Sequence, residues 1–449
     1  MTLSKSDYML FLKHPAWLWV KKHDPSKIPP VDENTQAMFD AGHQFEPYAE
    51  SQFPEGVSLG FSDFDEYQTL PQRTLDAIES GSRVLFQPRF NWGEFTCICD
   101  IVSISDDNEV DLYEIKASTS VKPEHEFDLA FQVAVLEGNG FKIRSISVIH
   151  VNNKYVRQGI IEADKLTTLA DITETVLAKR VLTSQYMTMA LEVAKSDIMP
   201  DPDPVFANLG SKNDWLAIYE NIVGKTENHH ENPEPVIQHD GIKKFLNDLQ
   251  YPLYFLDYET MSGLVPYFDG HRPYQQVPFQ YSLHVLQSPD ADLQHREYLH
   301  RDNSDPARPL AEHLTKDIGN RGSVIVWYEG FEKSRNSELG EQMPEYKDAM
   351  EAINSRVVDL MIPFKSKLYY DPRFGGSASI KKVLPVLVPD LSYKVLNIQE
   401  GGTAQILWME AVLDEKRTNE KDQILDDLFE YCKLDTLAMV EIFKVLKNL

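Results

Sequence analysis

Apolar residues recur at helical spacing through SKSDYMLFLKHPAWLWVKKH (4–23), so this opening stretch is expected to be one helix. A second helix is expected at TQAMFDAGHQFEPYAESQF (35–53), and a third at EHEFDLAFQVAVLEGNG (124–140), where glycine ends the apolar pattern. Between them lie strand-like runs at SRVLFQPRF (82–90), EFTCICDIVSI (94–104) and EVDLYEIKAS (109–118). The last two flank Asp106-Asp107-Asn108, a turn signal, so they read as a hairpin. A further strand is expected at SISVIHVN (145–152). Alternation of this kind predicts a mixed α/β layer structure.

The pattern changes near Asp197. Residues 197–240 are rich in proline, asparagine and histidine, and read as a linker holding a short helix. Its histidines, His229 and His230, read as solvated and not as ligands. From Gly241 the apolar pattern returns, with strands at PLYFLDYET (252–260), QYSLHVLQ (280–287) and SVIVWY (323–328). The chain closes on a helix, LDDLFEYCKLDTLAMVEIFKVLKNL (425–449). The expected division is therefore a domain over 1–196, a linker over 197–240 and a second domain over 241–449.

Composition narrows the class. Hydrophobic residues make up 42%, enough for ordinary packed cores, and apolar runs are too short to suggest a membrane span. The first residues lack the apolar core of a signal peptide. With three cysteines, Cys97, Cys99 and Cys432, neither a disulfide framework nor a four-thiolate cluster is available, so a cytoplasmic protein without an iron–sulfur cluster is expected. The net charge of -26 argues against broad attraction to nucleic acid, so any such contact must be local. Two basic stretches offer one: Lys13, Lys21, Lys22 and Lys27, then Lys365, Lys367, Arg373, Lys381, Lys382 and Lys394. Solvated surface lysines are the alternative for both. No phosphate-loop motif of the Gly-x-x-x-x-Gly-Lys type occurs, so no ATP motor is expected in this chain.

Two carboxylate groupings carry candidate chemistry. On the hairpin, Glu114 and Lys116 stand two apart on one strand and so share a face, while Ile115 turns to the core. If Asp100 pairs onto that face, two hard oxygen ligands suited to Mg²⁺ or Mn²⁺ meet one ammonium, which can position water and offset phosphate charge. In the second half, Asp257 and Glu259 share a strand face, Tyr431 and Asp435 lie one helical turn apart, and Glu332 follows Phe331 between them. Taken alone, each grouping also reads as a surface salt-bridge arrangement.

The first grouping, with Asp100-Ile101-Val102, Glu114-Ile115-Lys116 and Gln132 on the next helix, resembles the RecB/Cas4-like branch of the PD-(D/E)XK nucleases. That resemblance implies a restriction-endonuclease-like mixed-sheet domain, and it makes Lys116 and Gln132 catalytic. It also implies an acidic or histidine ligand from GHQFEPYAE, either Glu46 or His43. Leu136 stands where the family has tyrosine, and the family's cluster cysteines are absent. The second grouping resembles the DEDD exonucleases of ribonuclease H-like αβα fold. Five segments in order, YFLDYETM, PYQQVPFQYSLHVL, VVDLM, GGSASIKKVLP and YCKLDTLAMV, are similar to the family DUF2779, often joined to a RecB-like nuclease. The resemblance implies a two-metal site from Asp257, Glu259, Glu332 and Asp435, with Tyr431 orienting water and 3′-5′ removal of nucleotides. Glu332 replaces the usual aspartate, and Glu329 competes for its role. Ser377 and Lys381 are candidates to meet phosphate, with a plain helix start as the alternative, and Asp359 reads as structural. The expected substrate is DNA or RNA, with a helicase, repair or defence partner. The competing expectation is a nucleic-acid-binding or scaffold protein with one or both sites inactive.

Overall fold

The computed structural model describes residues 2–203, 212–224 and 234–449; His229 and His230 lie outside them. The chain divides into two compact units, Met1–Asn228 and His229–Leu449, both mixed α/β. Among the described residues no helix is long and apolar enough to cross a membrane.

In the first unit the strands are β1 (Leu3–Ser4), β2 (Val57–Ser58), β3 (Val84–Phe86), β4 (Arg89–Trp92), β5 (Phe95–Ile98), β6 (Ile101–Ile104), β7 (Glu109–Lys116), β8 (Lys142–Val151) and β9 (Thr167–Asp171). Six form one sheet in the order β2-β3-β6-β7-β8-β9, and β1-β5-β4 form a smaller one. The β6–β7 hairpin turns through Asn108 at φ 58°, a left-handed conformation that asparagine tolerates. β7 and β8 are parallel, so the chain must cross over between them, and the helix Pro123–Gly138 does so. It buries Leu129, Phe131, Val133 and Leu136 in the unit's core.

Three expectations need correction. The opening stretch is two helices, Lys5–Lys13 and Pro15–His23, because proline excludes its predecessor from helical geometry. His14 instead caps the second helix, its Nδ1 accepting from the Ala16 amide at 3.1 Å. The run 82–90 splits into β3 and β4 where Gln87 turns to φ 54° and Pro88 lacks an N–H. The run 94–104 also splits, and at Cys99-Asp100 the chain passes from the small sheet to the large one. There the Asp100 carboxylate takes the Ile115 amide at 2.7 Å, a side chain competing for a backbone donor. The segment 197–240 holds the helix Lys212–Val223, in line with the short helix expected there, and its Trp215 and Ile218 bury against Ala16, Trp17 and Val20.

In the second unit the strands are β10 (Val236–Ile237), β11 (Leu253–Met261), β12 (Val277–Leu286), β13 (Gln294–Leu299), β14 (Ser323–Val326), β15 (Val357–Asp359) and β16 (Tyr369–Tyr370). Five form a sheet in the order β13-β12-β11-β14-β15. The first three are an antiparallel meander, and β14 and β15 run parallel to β11. Helices Ala307–Asp317 and Glu329–Gln342 lie on the connections that lead to β14 and β15. β11 is central, which explains its apolar run, and every residue of β12 is buried. The last helix, Lys421–Lys447, packs across β11 and β12, with Phe443 against Phe255 at 5.7 Å between ring centroids. That crossing brings residues separated by most of the unit's length into one place.

Candidate functional site

β11 presents Asp257 and Glu259 on the same face, opposite Ser282 and Gln280 of β12. The last helix adds Asp435 one turn beyond Tyr431. The Tyr393 hydroxyl donates to Asp435 Oδ1 at 2.6 Å, and Tyr431 is a charge neighbour of the same carboxylate. Glu332 comes from the first turn of Glu329–Gln342 and is 2% exposed. Its Oε2 is buried without a hydrogen-bond partner. Glu329, the competing candidate, is half-buried and paired with Lys333.

Electrostatics tie the four acids together. Burial, then Asp435, Glu259 and Glu332 in that order, drive the Asp257 carboxyl well above the usual range. Burial and Asp435 do the same to Glu259, with Lys381 opposing. Burial lifts Asp435 to about 6 against the hydrogen bond from Tyr393 and the charge of Lys381. Burial lifts Glu332 to about 8, its own backbone opposing and Asp359 adding to the rise. The opposing cations are Lys381 and Arg335, and Arg335 is already paired with Glu338 at 3.0 Å. Three buried acids and the half-buried Asp257 have little compensating charge, and one carboxylate oxygen is left unpartnered, so the group could hold a divalent cation.

Other side chains frame the group. Lys381 donates to the Gln399 carbonyl at 2.7 Å and stands 5.6 Å and 5.7 Å from the ring centroids of Tyr393 and Tyr431. At Gly401 a β-carbon would lie 3.5 Å from Glu259 Oε2, so the backbone comes close there. Cys432 Sγ and carboxylate oxygens of Asp257 and Glu259 lie within 4.8 Å of one another. Asp359 is structural in its bonds: Oδ1 accepts from the Tyr328 and Met361 amides at 3.0 Å and 2.9 Å. It thereby holds Tyr328 at φ 84°, an uncommon backbone for a non-glycine, where the helix carrying Glu332 begins. Ser377 Oγ accepts from the Ser379 amide at 3.2 Å, and Ser379 caps the next helix without a side-chain bond.

The first unit holds a second group. Lys116 Nζ lies 2.7 Å from both Glu114 Oε1 and Asp128 Oδ2. Gln132 Nε2 donates to Glu114 Oε2 at 2.7 Å and to Asp128 Oδ1 at 3.0 Å, while its Oε1 is buried without a partner. Burial and then Glu114 raise Asp100 to about 7, with Lys5 and Lys116 opposing. Burial alone would lower Lys116, but Glu114 and Asp128 outweigh it and its proton is held more tightly. Asp100, Glu114, Lys116 and Gln132 therefore come together. Glu46 sits on the helix Glu33–Glu50, which contacts β7, and its charge neighbours are His43 and Glu50. Lys5 and Asp128 belong to the group and were not foreseen. The basic stretches are partly spent internally, Lys21 and Lys22 on Asp7 and Arg373 on Asp371.

Comparison with known proteins gives a family match within the second unit and similarity to uncharacterized proteins. Residues 254–379 match the family described as Domain of unknown function (DUF2779), a span that holds Asp257, Glu259 and Glu332 and ends before Asp435. The chain is 26% identical over 227 residues to Uncharacterized protein MG366 of Mycoplasma genitalium, covering 46% of this chain and 34% of that protein. It is 27% identical over 214 residues to the MG366 homolog of Mycoplasma pneumoniae, covering 43% and 32%. It is 25% identical over 217 residues to Uncharacterized protein UU173 of Ureaplasma parvum, covering 43% and 31%. The matched segments span about a third of the length of these relatives.

Proposed function

We propose that the chain is a metal-dependent nuclease whose principal site is the acid group around Asp257, removing nucleotides from the 3′ end of DNA or RNA. The observation that carries this reading is the meeting of Asp257, Glu259, Glu332 and Asp435 in a buried place with little positive charge. The sheet order of the second unit, a meander continued by two parallel strands, supports a ribonuclease H-like fold. Asp257, Glu259, Glu332 and Asp435 would hold divalent cations, which when bound supply Lewis acidity and an ionised water at neutral pH.

The chain's own residues do the positioning. Burial and then Asp435 push the Tyr431 hydroxyl far above its ordinary range, so it keeps its proton and acts as a donor toward water or a phosphate oxygen. Tyr393 fixes the orientation of Asp435. Lys381, between the two tyrosines, offsets charge that gathers on the phosphate during displacement. For the first unit we propose a PD-(D/E)XK-type site at Asp100, Glu114, Lys116 and Gln132. The engagement of Glu114 by Lys5 favours a second reading of that unit, in which it binds nucleic acid and does not cut it.

The test is an assay of end-labelled single- and double-stranded DNA and RNA with Mg²⁺ or Mn²⁺, using the parent chain and one knockout per site. Metal-dependent product that Asp257→Asn removes supports the reading. Absence of product from all four substrates with either metal counts against it.

A further inference from the structure

We infer that Lys5 is a built-in cation that competes with divalent metal for the carboxylates of the first unit, so that this site takes metal only when Lys5 withdraws. Lys5 Nζ lies 2.9 Å from Glu114 Oε1 and 3.3 Å from Asp128 Oδ1. Glu114 Oε1 is thus bound by Lys5 and Lys116 together, and Oε2 is taken by Gln132. Every oxygen of the central carboxylate faces a protein donor, which is the occupancy expected when a cation has already been supplied.

The position of Lys5 follows from local structure. β1 pairs in parallel with β5, Ser4 opposite Thr96, and β5 leads through Cys99 to Asp100. Lys5 is the first residue of the helix that Ser4 caps, in a capping box closed by Asp7. Asp7 is in turn gripped by Lys21 at 2.9 Å and Lys22 at 2.7 Å from the following helix. The helix start is therefore anchored at the acid group, and its positive end adds to the ammonium.

A second observation says that the place suits a cation. Gln132 is 0% exposed, and its Oε1 has no partner. The amide cannot be turned over to relieve this, because its Nε2 already donates to two carboxylates. An acceptor of this kind beside Glu114 and Asp128 is a ligand in waiting. The contrast with the second unit is one of charge. There four acids face Lys381 and a preoccupied Arg335, whereas here Asp100, Glu114 and Asp128 face Lys5 and Lys116.

The test uses the full chain with its second site silenced by Asp257→Asn and Glu259→Gln, titrated with Mn²⁺ and read by the electron paramagnetic resonance of the free ion. With Lys5 in place, no saturable submillimolar binding is expected that Glu114→Gln removes. Lys5→Met, neutral and of similar length, is expected to bind one Mn²⁺ at least tenfold more tightly, with Glu114→Gln abolishing the gain. Lys5→Arg, which keeps the charge, is expected to give no gain. Equal or weaker binding by a folded Lys5→Met chain overturns the inference. If Lys5→Met does not fold, the parent decides: submillimolar binding that depends on Glu114 while Lys5 is present overturns it, and its absence supports it. None of these readouts depends on cleavage, so they stand apart from the nuclease reading.

Discussion

Replacing Asp435 with asparagine should make the metal-free protein more stable in mild alkali, by an amount the site itself sets. Burial lifts the folded Asp435 carboxyl to about 6, against 3.8 for an ordinary aspartate, with Tyr393 and Lys381 opposing. Between those values the folded chain holds a proton that the unfolded chain has lost, so stability falls as pH rises through that window. At about 1.4 kcal/mol per pH unit, ionised Asp435 costs the fold about 3 kcal/mol once the pH exceeds the folded value. Asparagine resembles the protonated acid in shape and still accepts the bond from Tyr393, so it should recover most of that. For a unit of this size about 3 kcal/mol corresponds to roughly 6–12 °C in Tm. The assay is calorimetry in chelator at about pH 8 and about pH 4, comparing parent and variant. The variant should melt higher at the first pH and with the parent at the second. Saturating Mg²⁺ should stabilise the parent and narrow the gap, because ligands that bind only the folded state raise its stability. Equal or lower Tm for the metal-free variant at the alkaline pH would show that the acids are not in mutual strain, and the metal-cage reasoning would fall with it.

Other outcomes follow from the same contacts. Tyr431→Phe should slow cleavage by about tenfold or more while Mn²⁺ affinity stays within a factor of about three, since the hydroxyl is a donor beside the acids and not a ligand; unchanged turnover would remove Tyr431 from the chemistry. Asp7 behaves oppositely to Asp435: burial opposes ionisation, but Lys22, the Ser4 amide and Lys21 win and hold its carboxyl down at about 2. Asp7→Asn should therefore cost about 2 kcal/mol at neutral pH, a deficit that shrinks as pH falls from 3.8 through about 2, as urea melts at several pH values would register. Trp215→Ala should destabilise the first unit by about 3–5 kcal/mol, because its ring is fully buried against Trp17 and stacks on His14 at 4.1 Å; a loss under about 0.5 kcal/mol would return that helix to the role of a linker.

What the sequence made legible was local. Asp257 with Glu259, and Tyr431 with Asp435, declare themselves because strand and helix periods put them on shared faces within a few residues. That the two pairs meet depends on the last helix crossing β11, which no short window contains. Lys5 reaches Glu114 across 109 residues, and Tyr393 reaches Asp435 across 42, separations that no local period spans. The split at Cys99-Asp100 was hidden by a strand-like pattern that continues on both sides of Asp100, since a chain can change sheets without changing composition. The break at His14-Pro15, by contrast, was written in the proline and outweighed in the reading by the apolar period around it. Glu46 lies on a helix of the expected type and position, and which of that helix's faces meets the sheet is decided by packing, which no local pattern records.

The central claim is that the acids around Asp257 cut phosphodiester bonds. Its most direct test is digestion of a 5′-labelled single strand, as DNA and as RNA, with Mg²⁺ or Mn²⁺, in a chain whose first site is disabled by Glu114→Gln. The account predicts a ladder shortening from the 3′ end, absent in chelator and absent when Asp257→Asn is added to a chain that still folds. Digestion by the Asp257→Asn chain at the rate of its parent would contradict it.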